Sequence, residues 1–151
     1  MKNYELLIIN KFQHFKLETI MSLLSLPFHS SIYMLIILIL YIKNIISYNN
    51  LILIIIGQFL IFLIKNIIKR KRPYQVDKNI KKLEIMYIDE YSFPSGHTFN
   101  AFLLFYILQS NSVIPYLVGI SRIYLGVHYP SDVFIGAIFA NILYTLSIKN
   151  I

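Results

Sequence analysis

Cysteine is absent from the 151 residues, which excludes a disulfide framework, a thiolate metal site and a thiol nucleophile. Charge is scarce as well. Asp, Glu, Lys and Arg together make up 14% of the chain, against roughly 25% in an average soluble domain. Too little polar surface remains to cover a water-soluble globule, and a hydrophobic share of 57% excludes a disordered chain. Alternation of period two is missing, so the apolar stretches read as helices and not as barrel strands. There is no internal repeat and no low-complexity linker. No small-residue cleavage site follows a basic start, which argues against a signal peptide.

What charge there is has one dominant sign: 14 Lys and Arg stand against 7 Asp and Glu, a formal net charge of +7. In so hydrophobic a chain the excess favours anionic lipid or a phosphate-bearing substrate, not nucleic acid. The charges are also unevenly placed. Residues 19–42, 44–64, 91–121 and 133–148 carry none, and uncharged apolar stretches of this kind are transmembrane candidates. The pattern predicts an all-α integral membrane bundle with passes at 30–46, 50–69, 96–110, 113–127 and 131–148. Turn residues support the cuts: Tyr48-Asn49-Asn50, then Gln109 to Ser112 with Pro115, then Tyr129-Pro130-Ser131-Asp132 as the entry to the last helix. In residues 1–29, Ile8, Phe12 and Phe15 share a helical face while Lys11, Gln13, His14, Lys16 and Glu18 lie elsewhere, the signature of an amphipathic helix in the membrane interface. The whole, 1–151, reads as one domain, with 30–151 as its transmembrane core.

Ionisable residues near membrane helices are functional candidates, since each costs roughly 2.5–3.5 kcal/mol at a helix centre. Three clusters stand out: Lys65 with Arg72-Pro73; Pro94-Ser95-Gly96-His97; and Ser121-Arg122 with His128 and Asp132. Counting passes brings them together. The second pass ends on one face and the third starts there, and the fourth returns to the face from which the fifth departs. Lys65 and Arg72 are two helical turns apart and point the same way if the helix continues. With Arg122 they give three converging cations, suited to a phosphoryl group. Ser95-Gly96 at a helix start supplies free N–H groups, a hydroxyl and room for close approach. One of the two histidines has a carboxylate four residues downstream, placed to hold a ring N–H. A nucleophilic histidine, a second histidine as acid and a cationic cage amount to phosphomonoester hydrolysis through a phosphohistidine.

Lys65-x6-Arg72-Pro73, Pro94-Ser95-Gly96-His97 and Ser121-Arg122-x5-His128-x3-Asp132 resemble the three-part signature of the type 2 phosphatidic acid phosphatase (PAP2) family. The resemblance spans about 60 to 140 and implies roles residue by residue. His128 attacks phosphorus, Asp132 orients it, and His97 protonates the leaving group and then activates water. Lys65, Arg72, Ser95, Gly96 and Arg122 hold the phosphoryl oxygens. It also implies no metal and no cofactor. The implied substrate is a phosphorylated lipid held at the bilayer surface: phosphatidate, phosphatidylglycerophosphate or a polyprenyl diphosphate. The short connection between the first two motifs leaves no lid to select a large water-soluble substrate. Phosphotransfer to another lipid by the same histidines, and non-catalytic binding of lipid phosphate, are the alternatives.

Other readings stand beside these. Lys69, Arg70 and Lys71 are expected to contact anionic headgroups, and His14 and His29 to take no part in catalysis. A zinc site from His97, His128 and Asp132 fits the residue types but not the three cations beside them. Lys69, Arg70, Lys71, Lys78, Lys81 and Lys82 place the site in the cytoplasm by the positive-inside rule, whereas the resemblance implies the outer or lumenal side for many members. Oligomeric state is not legible. The third and fourth passes share about 32 residues, about 24 Å each at ~1.5 Å per residue, against a hydrocarbon core ~30 Å thick.

Overall fold

Every apolar stretch of the sequence becomes a helix in the computed structural model, which describes residues 2–149; positions 1, 150 and 151 of the expected domain lie outside the described residues. The order is α1 (Lys2–Phe12), α2 (Glu18–Ser25), a 3-10 turn (Leu26–Phe28), α3 (Ser30–Ile42), α4 (Tyr48–Ile68), α5 (Pro73–Val76), α6 (Gly96–Ile107), α7 (Ile114–Tyr124) and α8 (Pro130–Lys149). Among the described residues there is no β-strand beyond an isolated bridge between Lys71 and Tyr91. The five expected passes correspond to α3, α4, α6, α7 and α8.

Two helices are long and apolar enough to cross a membrane, Tyr48–Ile68 and Pro130–Ile148, with mean hydropathy 2.5 and 1.6. Their outward side chains, such as Ile55, Phe59, Phe62 and Phe134, are exposed, as lipid-facing residues must be in a bundle without water around it. The chain is an integral, multi-pass membrane protein. A third candidate is a bent helix pair, a broken span or a re-entrant loop. Glu18–Phe28 and Ser30–Ile42 pass the same test together, bent by 51° at His29. This pair coincides with the charge-free stretch 19–42. Residues 1–29, read from sequence as one interfacial helix, thus divide into α1, α2 and the 3-10 turn at Pro27, whose ring takes an early position in that turn.

Helix α6 is the centre of the bundle and packs against α8, α7, α4 and α3. Phe99, Phe102, Leu103 and Ile107 of α6 meet Ile37, Leu53, Ile54, Ile61, Val118 and Ala140 in the main apolar core. Gly136 lets α8 approach the start of α6, since a Cβ there would stand 2.7 Å from the carbonyl oxygen of Ser95. On the same side Ser95 N–H donates to the carbonyl of Asp132 at 3.0 Å. The starts of α6 and α8, which carry two of the three motifs, are thereby locked together.

The N-terminal helix covers this end of the bundle. Ile9 is buried with Ile80, Ile123 and Tyr129. The Gln13 amide bridges Lys81 N–H at 2.9 Å, Lys81 C=O at 2.8 Å and Tyr124 C=O at 3.0 Å. Gly126, at φ 73°, makes the turn after α7, and a side chain there would meet the Lys81 carbonyl. The polar connection 77–95 is therefore laid against the bundle and does not stand away from it.

Candidate active site

Helix α4 does not continue through the first motif. Lys69 adopts the left-handed conformation and ends it, and Arg72 precedes the proline that starts α5. The expectation that Lys65 and Arg72 share a helical face is corrected: a turn, not helical periodicity, brings them together. They still converge. Lys65 Nζ lies 3.0 Å from both carboxylate oxygens of Asp89 and 2.9 Å from the Tyr91 carbonyl. Arg72 binds the same carboxylate through Nη2. Its Nε donates to the Asp89 carbonyl at 2.8 Å and its Nη1 to the Val127 carbonyl at 2.8 Å.

That arginine also approaches His128, with Nη1 3.4 Å from Nε2. An arginine N–H only donates, so Nε2 carries the lone pair and Nδ1 the proton. Nδ1 faces Asp132 Oδ2 across 3.6 Å, longer than a hydrogen bond, and has no hydrogen-bond partner. The histidine is buried in the loop between α7 and α8. Burial first, then the charges of Arg72, Lys65 and Arg122, push its pKa well below the ordinary imidazole value. Asp132 is fully buried. Its Oδ2 accepts from Tyr129 N–H at 2.9 Å and its Oδ1 from Arg70 Nη1 at 2.6 Å.

His97 and Gly96 open α6 after Ser95, whose hydroxyl caps the helix by accepting from Thr98 N–H at 3.4 Å. A cavity of about 280 Å³ is lined by Lys65, Arg72, Asp89, Gly96, His97 and His128, with His29, Ser30, Gln58 and Tyr87 around them. Ser95, Arg122 and Asp132 sit behind this wall, each with no exposed surface. Arg122 Nη1 binds Glu84 and the Ser25 hydroxyl, the latter at 2.8 Å. Its Nε and Nη2 are buried without a hydrogen-bond partner among the described residues. Of the sequence-derived residues, then, Lys65, Arg72, Gly96, His97 and His128 share one cavity, and Ser95, Arg122 and Asp132 form its support. Among the described residues no three His, Asp or Glu side chains are grouped as metal ligands.

Residues 47–150 match the family model for the PAP2 superfamily. The chain belongs to the PAP2 superfamily. Bacitracin transport permease protein BcrC of Bacillus licheniformis is 40% identical over 75 residues, a match that spans 44% of this chain and 36% of that protein. The crystal structure of Aquifex aeolicus LpxE superposes with a TM-score of 0.79 at 24% identity, over 95% of this chain and 92% of that one. A transmembrane PAP2-type phosphatidylglycerolphosphate phosphatase from Bacillus subtilis gives 0.79 at 22% identity, over 98% and 84%. The last two similarities show that the PAP2 fold extends over the N-terminal half, outside the three motifs.

That half supplies residues which sequence reasoning passed over. His29, expected to be a bystander, lines the cavity, its ring centroid 5.7 Å from that of His97. Its Nε2 donates to the Tyr87 carbonyl at 2.8 Å. Pass counting held the signal, since a first pass starting at residue 30 begins on the face where the third begins. Arg70, expected among headgroups, instead pairs with Asp132 and with Glu5 at 2.8 Å and lies 3.8 Å over the Tyr129 ring. Asp89 and Glu84 had no local signal. The connection that carries them, expected to leave the site uncovered, lines the cavity with Tyr87, Ile88 and Asp89.

Proposed function

We propose that this protein is a membrane phosphatase that removes the terminal phosphoryl group of a lipid phosphomonoester or diphosphate through a phosphohistidine. The observation that carries the reading is the cavity itself: two histidines, a lysine and an arginine from three separate motifs line one space of about 280 Å³. Phosphatidylglycerophosphate, the substrate class in the name of the Bacillus subtilis relative, joins phosphatidate and polyprenyl diphosphate as the compounds to assay.

The lone pair of His128 Nε2 attacks phosphorus. As the N–P bond forms, the bond from phosphorus to the lipid oxygen breaks, and that oxygen keeps the electron pair. His97 gives it a proton. Water then attacks the phosphohistidine, His97 takes its proton, and inorganic phosphate leaves with His128 restored. Lys65 and Arg72 balance the charge on the phosphoryl oxygens, and the unpartnered N–H groups of Arg122 and the backbone at Gly96 are donors for the same group. Asp132, held by Arg70 and the Tyr129 amide, keeps the proton on Nδ1 and stabilises the ring when it becomes positive. The lipid tails stay in the bilayer.

The test uses detergent-solubilised protein with EDTA, assayed against the three lipids in parallel. Wild type is expected to release inorganic phosphate from at least one of them. His128→Ala is expected to release none, and substantial release by that variant refutes the assignment. The result with EDTA also decides metal independence.

A further inference from the structure

The connection between α4 and α6 brings two carboxylates to the three cations of the site, and the two differ in kind. Glu84, on Arg122, has a side chain only 3% exposed. Its other oxygen accepts from Met86 N–H at 3.0 Å, and the neighbouring Leu83 N–H donates to Leu125 C=O at 3.1 Å. It is built in. Asp89, on Lys65 and Arg72, has a side chain 55% exposed, and those two cations are the partners of its carboxylate. The main chain beneath it is fixed independently, because the carbonyls of Asp89 and Tyr91 hold Arg72 Nε and Lys65 Nζ. The carboxylate is thus free to rotate toward water while the cations keep backbone partners.

We propose that Asp89 sets the affinity of this site for a phosphoryl anion by competing with it. Its carboxylate bridges Lys65 Nζ and Arg72 Nη2, and the same guanidinium approaches His128 Nε2. An anion reaching that nitrogen must take the bridge from Asp89. With Asp89 in place, Lys65, Arg72 and Arg122 face Glu84 and Asp89, and the cage carries a net single positive charge. With Asp89 rotated out, it carries two, the match for a phosphomonoester dianion. The proposal rests on the phosphate reading of the cavity and adds a residue outside the three motifs to it.

Asp89→Asn and Asp89→Ala test it in solubilised protein, with Asp89→Glu as the charge-retaining control. Inorganic phosphate is titrated against thermal unfolding, which needs no turnover, and KM and kcat are measured on the lipid hydrolysed best. Losing a competitor of this exposure is expected to tighten phosphate binding about three- to tenfold. KM is expected to fall with it while kcat does not, and Asp89→Glu is expected to bind as wild type does. A carboxylate that only positions Lys65 and Arg72 gives the reverse. Unchanged or weaker phosphate binding in both Asn and Ala variants overturns the competition. If wild type and variants bind phosphate in the expected order but release none from lipid, the phosphatase reading falls and the competition stands.

Discussion

Replacing Glu84 by glutamine keeps the shape of a buried ion pair and removes half its charge. Arg122 is wholly buried, and Glu84 is its charged partner beside the neutral Ser25 hydroxyl. Stranding one member of such a pair costs about 3–5 kcal/mol. At about 2–4 °C per kcal/mol for a chain of this size, the unfolding midpoint is expected to fall by about 6–20 °C. The guanidinium also has Nε and Nη2 without hydrogen-bond partners among the described residues, and an anion bound in the neighbouring cavity is expected to offset part of the lost charge. Inorganic phosphate at a hundred times its dissociation constant returns about 2.7 kcal/mol, and at one phosphate concentration the variant, with one carboxylate fewer beside its cations, is expected to bind tighter and gain more than wild type. Circular dichroism at increasing temperature, with and without phosphate, reads both effects. The double variant Glu84→Leu, Arg122→Met is expected to regain most of the stability, since an apolar pair of similar volume removes the buried charge altogether, yet to gain less from phosphate than wild type, because Lys65 and Arg72 remain in the cavity. A Glu84→Gln midpoint within a degree of wild type refutes the buried-charge argument. A large loss that phosphate does not repair refutes the proposal that Arg122 contributes to the anion site.

Burial and three nearby cations hold the His128 pKa well below 6.5, so the neutral imidazole persists as pH falls through that value. The acid limb of kcat/KM is therefore expected below pH 6.5, and a limb at or above it contradicts the assignment of His128 as nucleophile. The same displacement acts on stability. Below about pH 6.5 the unfolded chain takes up the proton first, so the unfolding midpoint is expected to decline with falling pH across that window and to decline less in His128→Phe. Gly126→Ala is expected to lower the midpoint and the activity together, because it puts a side chain at φ 73° against the Lys81 carbonyl. Wild-type behaviour would show that the turn relaxes freely.

The helices were legible because the bilayer forces long charge-free runs, and the site was legible because its motifs are local. Lys65, Arg72, Gly96, His97 and His128 needed only pass counting to be placed on one face. What was not legible has a common cause. Arg70 meets Glu5 and Asp132, Arg122 meets Glu84, and Lys65 meets Asp89 across loops and between elements, and no periodicity encodes such pairings. Residues 69–72 show the limit from the other side. A helix carried through them satisfies the spacing, but the left-handed Lys69 stops it. The charge gap at 19–42 covers the bent pair Glu18–Phe28 and Ser30–Ile42, which the sequence reading divided between an interfacial helix ending at 29 and a pass starting at 30.

Helices α6 and α7 have 12 and 11 residues, about 18 and 17 Å at ~1.5 Å per residue, well short of a ~30 Å hydrocarbon core. The link between them holds Gln109, Ser110 and Asn111, all exposed, and such groups cannot be left among acyl chains. Either the bilayer thins to meet this link, or the link stops short of the far interface in a hydrated recess of the bundle. Both geometries bring water closer to the far ends of α6 and α7 than full-length spans would allow.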